Sequence, residues 1–105
     1  MSALHALVAV RTVVVHGDMS DRVLVWQRFL EAIGELSVTV MATAKHDFPR
    51  DGLTGVVVLA ESHAAIHTWP ERECAWCELA TCGDPKDLER FVVALRRLGD
   101  VEELL

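Results

Sequence analysis

Apolar residues recur along this chain in two periods, and the switches between them outline the elements. Residues 4–15 are dominated by Val and Leu and predict a first strand, closed by a turn at His16-Gly17-Asp18. Either Asp18 or Ser20 can cap the helix that follows. Val23, Trp26, Phe29, Leu30 and Ile33 fall at helical spacing, and Gly34 is a natural stop. Trp26 reads as a core residue of that stripe. Residues 37–44 are β-branched at Val38, Thr39 and Val40 and predict a second strand. The polar stretch 45–52 holds Pro49 and Gly52 and predicts a loop carrying His46, Asp47 and Phe48. A Phe there is either a core plug or an aromatic platform for a ligand. Residues 53–61 predict a third strand, Ser62-His63 a tight turn, and residues 64–69 and 74–82 two further strands.

Asp84 then caps a second helix, with Pro85 in its first position and Asp87 completing a box-like arrangement. Leu88, Phe91, Val92, Leu95 and Leu98 form its apolar face, and Gly99 ends it before an acidic tail, 100–105. Strands joined as hairpins, with two one-sided helices, predict an α+β two-layer sandwich: a mainly antiparallel sheet with both helices on one face. Val, Ile and Trp fill both faces of several strands, which predicts that the other sheet face packs in a dimer.

Composition narrows the function. A chain of 105 residues makes one domain, 1–105, and its net charge of −6 without a Lys/Arg cluster argues against a nucleic-acid partner. The uncharged run 52–60 is far too short to span a bilayer, so no membrane partner is expected. Residues 1–10 lack the basic start and cleavage site of a signal peptide, and the expected location is cytoplasmic. Cys74 and Cys77 form a C-x-x-C pair, but no second ligand pair follows, and strand alternation puts them on opposite faces. No metal is expected, and the three cysteines read as free thiols.

The chemistry concentrates after the apolar run Val56 to Leu59, which leads directly into Glu61-Ser62-His63 and then His67-Thr68-Trp69-Pro70. Such groups are costly to bury unless paired or used. Ser62 beside His63 suggests a hydrolase nucleophile, but Ala60 and Ala64 stand where a nucleophile elbow needs glycines, and no orienting acid is evident. A hairpin turn with Ser62 and His63 capping strand ends accounts for the same residues.

The longer pattern decides between them. Glu61-Ser62-His63, then His67-Thr68-Trp69-Pro70-Glu71, then Thr81-Cys82-Gly83, with His46 and Phe48 as a preceding His-x-Phe pair, resembles the S-adenosylmethionine decarboxylase proenzyme family of the short prokaryotic, pyruvoyl-dependent type. The resemblance covers residues 45–84 closely and the rest in element order. It implies autocatalytic cleavage between Glu61 and Ser62 into 1–61 (β chain) and 62–105 (α chain), leaving a pyruvoyl group derived from Ser62. That group would form a Schiff base with the substrate amine and accept electrons as carbon dioxide leaves, like other carbonyl cofactors. The resemblance assigns His67 as the processing base, a role suited to imidazole. Thr54 stands where the family has a serine and supplies the processing hydroxyl. Cys82 is the proton donor to the decarboxylated carbon. Phe48 and Glu71 are the substrate-binding residues, for adenine stacking and ribose hydroxyls respectively. The expected partners are the small-molecule substrate and a second copy, as a homodimer of processed protomers.

The chain departs from the family at several points. Ala6-Leu7-Val8-Ala9-Val10 lacks the polar residues of the family's first strand, Arg72, Glu73 and Cys74 replace aromatic and glycine positions, and Ala80 replaces a Phe. The family's C-terminal strand is cut short to Val101-Glu102-Glu103-Leu104-Leu105. Three functions therefore follow: S-adenosylmethionine decarboxylation yielding the aminopropyl donor for spermidine, the same chemistry on arginine or ornithine, or an unprocessed regulatory partner of a catalytic homologue.

Overall fold

A computed structural model describes residues 8–104. Six strands, β1 (Ala9–His16), β2 (Val40–Asp47), β3 (Leu53–Leu59), β4 (Ser62–Trp69), β5 (Cys74–Thr81) and β6 (Asp100–Glu103), form one sheet in the order β2-β3-β4-β5-β1-β6. Every pairing is antiparallel. Two helices, α1 (Arg22–Gly34) and α2 (Lys86–Ala94), cover one face. Strand alternation builds the core between the layers. Val13, Val15, Val57, Ala64, Ile66, Ala75, Cys77 and Leu79 all point to the helices and are buried with Phe29 and Phe91, which meet edge to face at 6.3 Å. The residues between them on each strand face the other way. There Val10, Val56, Val58, Trp69 and Trp76 are all exposed, and this apolar open face is the one the alternation predicts.

Several boundaries differ from the sequence expectation. The part of the predicted first strand over residues 4–7 lies outside the described residues. β2 starts three residues later than expected and runs on to Asp47, so His46 and Asp47 belong to an edge strand and the loop shortens to 48–52. The hairpin turn falls on Ala60-Glu61, and Ser62 and His63 already pair with β3, because Leu59 and Ser62 close the ladder. The acidic tail is not a tail: β6 pairs with β1, Glu102 opposite Val14.

The helix ends also correct the prediction. Asp21, not Asp18 or Ser20, caps α1 by accepting the Leu24 N–H at 3.1 Å, while Asp18 accepts both the N–H and the hydroxyl of Ser20 in the preceding turn. Val23 is 73% exposed: at 3.6 residues per turn it lies roughly 200° around the helix from Val25, which is buried. The helix does end at Gly34, as expected, but the chain leaves through Glu35 in ordinary right-handed geometry and not through a left-handed glycine. Asp84 accepts the Lys86 N–H at 2.9 Å at the start of α2, with Pro85 between them at the N-cap position in helical geometry. Asp87 does not close a box with it. Its fully buried carboxylate instead accepts the Ser37 N–H at 2.9 Å, from outside the helix, and Arg90 at 3.0 Å, three residues on in the same helix. A buried carboxylate needs donors, and both fall on Oδ1, while the buried Oδ2 has no partner among the described residues.

One glycine decides how closely the layers approach. A Cβ at Gly55 would sit 2.3 Å from the Trp26 ring, so the indole lies directly on the β3 backbone. Trp26 is thus partly buried against the core, as its place in the helical stripe predicts. Gly55→Ala is expected to push α1 outward and destabilise the protein by about 1–3 kcal/mol. Urea denaturation should show that loss, and adding Trp26→Leu should recover part of it. Among the described residues no helix is long and apolar enough to cross a membrane.

Candidate active site

The predicted site residues collect at two places, at opposite ends of β3 and β4. At the β4 start, Glu61 occupies the turn with φ +62°, a left-handed conformation that costs a non-glycine residue about 1–2 kcal/mol. Its carbonyl accepts the Cys82 N–H at 3.1 Å. The Ser62 hydroxyl donates to the Ala60 carbonyl at 3.2 Å, one peptide before the bond predicted to break. Thr81, paired with Ser62, turns its hydroxyl to accept the Gly83 N–H at 2.9 Å, which fixes the Thr81-Cys82-Gly83 corner and leaves Cys82 exposed. Glu61, Ser62 and Cys82 are therefore neighbours in a turn held by backbone hydrogen bonds.

At the other end, β3 and β4 pair Thr54 with His67, and the Thr54 Oγ1 lies 3.2 Å from the His67 Nδ1. The two line a cavity of about 300 Å³ together with Phe48, Trp69 and Glu71. Phe48 is 45% exposed and stands edge-on to His46, ring centres 4.6 Å apart, so it is no core plug. Thr68, on the buried side of the same strand, accepts the Leu53 N–H at 2.9 Å and ties the cavity floor to the start of β3. The cavity size and its mixture of aromatic and polar walls suit a small organic ligand.

Within one chain these two groups do not meet. Ser62 and His67 are five positions apart on one strand, about 16 Å at the usual rise per residue. Register pairs Ser62 with the buried Thr81 and His67 with the exposed Trp76, so the side chains leave the strand on opposite faces.

Sequence reasoning missed two aromatic neighbours of His67. Trp69 and Trp76 flank it, with ring centres at 6.4 and 5.6 Å. The strand period from His67 would have found Trp69, but Trp76 needs the β4–β5 register, which is invisible in the sequence. The cysteines separate as alternation predicts: Cys77 is in the core, where burial pushes its thiol well up, and Cys74 lies on the other face. Among the described residues no group of three or more His, Cys, Asp or Glu is placed to hold a metal.

A two-layer α+β domain with a serine following a left-handed glutamate at a hairpin, and a histidine-threonine pair on the open sheet face, defines the class. Comparison with known proteins then gives the family. The family model described as S-adenosylmethionine decarboxylase matches residues 8–100, and the chain belongs to that family. It is 44% identical over 80 residues to an S-adenosylmethionine decarboxylase proenzyme of Pseudomonas paraeruginosa, covering 75% of this chain and 50% of the relative. It is 43% identical over 77 residues to the proenzyme of the same name in Aquifex aeolicus, covering 72% of this chain and 57% of the relative. The chain thus spans about half the length of the curated relatives it matches. The crystal structure of the adenosylmethionine decarboxylase from Aquifex aeolicus has the same fold, with a TM-score of 0.79 and 27% identity over 93% of this chain and 87% of that one.

Proposed function

We propose that this chain cuts itself between Glu61 and Ser62 and then decarboxylates S-adenosylmethionine, yielding the aminopropyl donor for spermidine synthesis. The observation that carries this reading is the Glu61 turn. A left-handed glutamate stores strain at the peptide to be broken, and the Cys82 N–H polarises its carbonyl. Rotation of Ser62 about χ1 turns its hydroxyl from the Ala60 carbonyl toward the Glu61 carbonyl carbon. The oxygen adds there, the C–N bond breaks, and the hydroxyl proton passes to the freed nitrogen, leaving an ester. Loss of the Ser62 Cα proton to a base then breaks the Cβ–O bond and releases the Glu61 carboxylate. Water converts the resulting dehydroalanine to a keto group with loss of ammonia. The pyruvoyl group so formed supplies the carbonyl electron sink of the decarboxylation.

His67 is the base in this reading, and since it lies at the far end of the same strand it acts from a second copy. A two-fold axis crossing β4 near Ala65, with the open faces packed together, lays the Ser62 end of one copy over the His67 end of the other. The Ser62 Cβ leaves on the helical side, so its Cα–H is turned toward that open face. The apolar residues exposed there are the surface such a homodimer buries. Phe48 and Glu71 receive the adenine and ribose, and Thr54 steadies the charge that develops on oxygen. Cys82 returns a proton to the substrate carbon. Arg72 and Glu73, which motivated the arginine or ornithine alternative, are exposed residues of a turn beside the cavity.

Intact mass under denaturing conditions tests the first half of the proposal, and carbon dioxide release from S-adenosylmethionine, arginine and ornithine tests the second. Fragments 1–61 and 62–105, with release from S-adenosylmethionine alone, are expected. An uncut chain releasing nothing would overturn the reading and favour a regulatory partner. Cys82→Ala is expected to self-cleave yet lose about 10²–10⁴-fold in kcat, the usual cost of removing a proton donor.

A further inference from the structure

We infer that Arg22 is a positioning residue for the substrate cavity: it clamps the 48–52 loop that carries Phe48, and so sets binding strength without touching the reacting atoms. This rests on the reading of the cavity as the S-adenosylmethionine site. Arg22 opens α1, yet the helix gains nothing from it, since a cation in the first turn opposes the helix dipole. Its partners lie elsewhere. One guanidinium nitrogen donates to the Phe48 carbonyl at 2.9 Å, and the carboxylates of Asp47 and Asp51 both stand 3.7 Å away. The side chain is only 22% exposed although it starts a surface helix.

The loop needs such an anchor. Arg50 and Asp51 are consecutive non-glycine residues at φ +64° and +71°, a conformation the backbone does not favour by itself. A backbone hydrogen bond from the Phe48 N–H to the Gly52 carbonyl, 2.8 Å, closes it. Gly52 seats the loop on the end of β4: a Cβ there would meet the Thr68 carbonyl at 3.7 Å and Pro70 at 3.8 Å. Lys45, hydrogen-bonded to Asp47 at 2.8 Å, and more weakly Arg22 hold the Asp47 carboxyl below its ordinary range, so the acid stays charged for the clamp. A planar fork that reaches a carbonyl and two carboxylates at once is a geometry that Lys cannot copy. Thr54 and His67 sit on the β3–β4 ladder and do not depend on this anchor, whereas Phe48 does. Releasing the loop therefore moves one wall of the cavity and leaves the others in place.

The test compares processed wild type with Arg22→Gln and Arg22→Lys, measuring kcat and KM for S-adenosylmethionine, the extent of self-cleavage, and hydrogen exchange of the loop amides. Gln removes the charge and Lys keeps it without the fork. Arg22→Gln is expected to raise KM on the order of ten-fold with kcat and self-cleavage little changed. Arg22→Lys should fall between, and the Phe48 amide should exchange faster in both. An unchanged KM, or a kcat that falls as far as KM rises, overturns the inference. If wild type released no carbon dioxide from S-adenosylmethionine, the substrate reading would fail and the exchange arm would stand alone. Unaltered exchange of the Phe48 amide would then overturn the clamp itself.

Discussion

A Ser62→Ala chain is expected to stay a single uncut species of 105 residues and to release no carbon dioxide at all. The substitution removes one oxygen, which in the proposed reaction is both the nucleophile of the cleavage and the atom whose loss leads to the keto group. No neighbour replaces it: Thr81 is buried and committed to Gly83, and only a hydroxyl on residue 62 itself can take the acyl group and then leave from its own Cβ. The Glu61 turn and its bond from Cys82 are backbone features, so Ala should leave them intact. Circular dichroism and melting temperature should accordingly match those of wild type before cleavage. An alanine variant that still divides between residues 61 and 62 would refute the role of Ser62.

The second large effect is a rescue. His67→Ala alone is expected to remain uncut over times in which wild type processes fully, because base catalysis contributes about 10²–10⁴-fold. Ser62→Ala alone remains uncut as well. Produced together, they should form mixed dimers in which the Ser62 of one chain meets the His67 of the other. Cleavage should then appear in the His67→Ala chain only, and mass spectrometry distinguishes the two. No rescue, combined with a dimer demonstrated by sedimentation, would mean that His67 does not act across the interface. The prediction follows from the separation of about 16 Å that an extended strand imposes on residues five apart.

Much of the architecture was legible because strand and helix periods differ and each leaves its own stripe. Alternation assigned Cys74 and Cys77 to opposite faces, and Phe91 and Val92 of α2 are buried as read. So is Leu95, although the α-helix ends at Ala94 and Leu95 opens a 3-10 turn short of the expected stop at Gly99. Elements that depend on partners far along the chain were not legible. β6 owes its existence to the free edge of β1; no periodicity in four residues announces it, and only the family resemblance pointed to a short strand there. Asp87 looked like a cap residue because the Asp-Pro-x-Asp spacing fits one. Its actual partner, Ser37, is 50 residues away. The candidate site was legible as a motif but not as a geometry: the motif runs through Glu61, Ser62, His67 and Glu71 as though they were together, and the strand pulls them apart. Arg22 carried no signal, since a lone arginine opening a helix looks like solvated surface.

Sheet order has a consequence for the cleavage proposed above. The strands before the Glu61–Ser62 bond are β1, β2 and β3, and those after it are β4, β5 and β6, yet the sheet runs β2-β3-β4-β5-β1-β6. The β4–β5 hairpin of the second piece is thus wedged between β3 and β1 of the first, and β6 closes on the outside of β1. Neither piece can be lifted away without tearing ladders on both sides. Before the cut, folding is a first-order search within one chain. Afterwards the same native state can be regained only by two fragments finding each other, so refolding becomes second order in protein. Cleavage as proposed would make this topology a ratcheted one, in which the precursor learns the structure once and the cut protein keeps it without being able to relearn it easily.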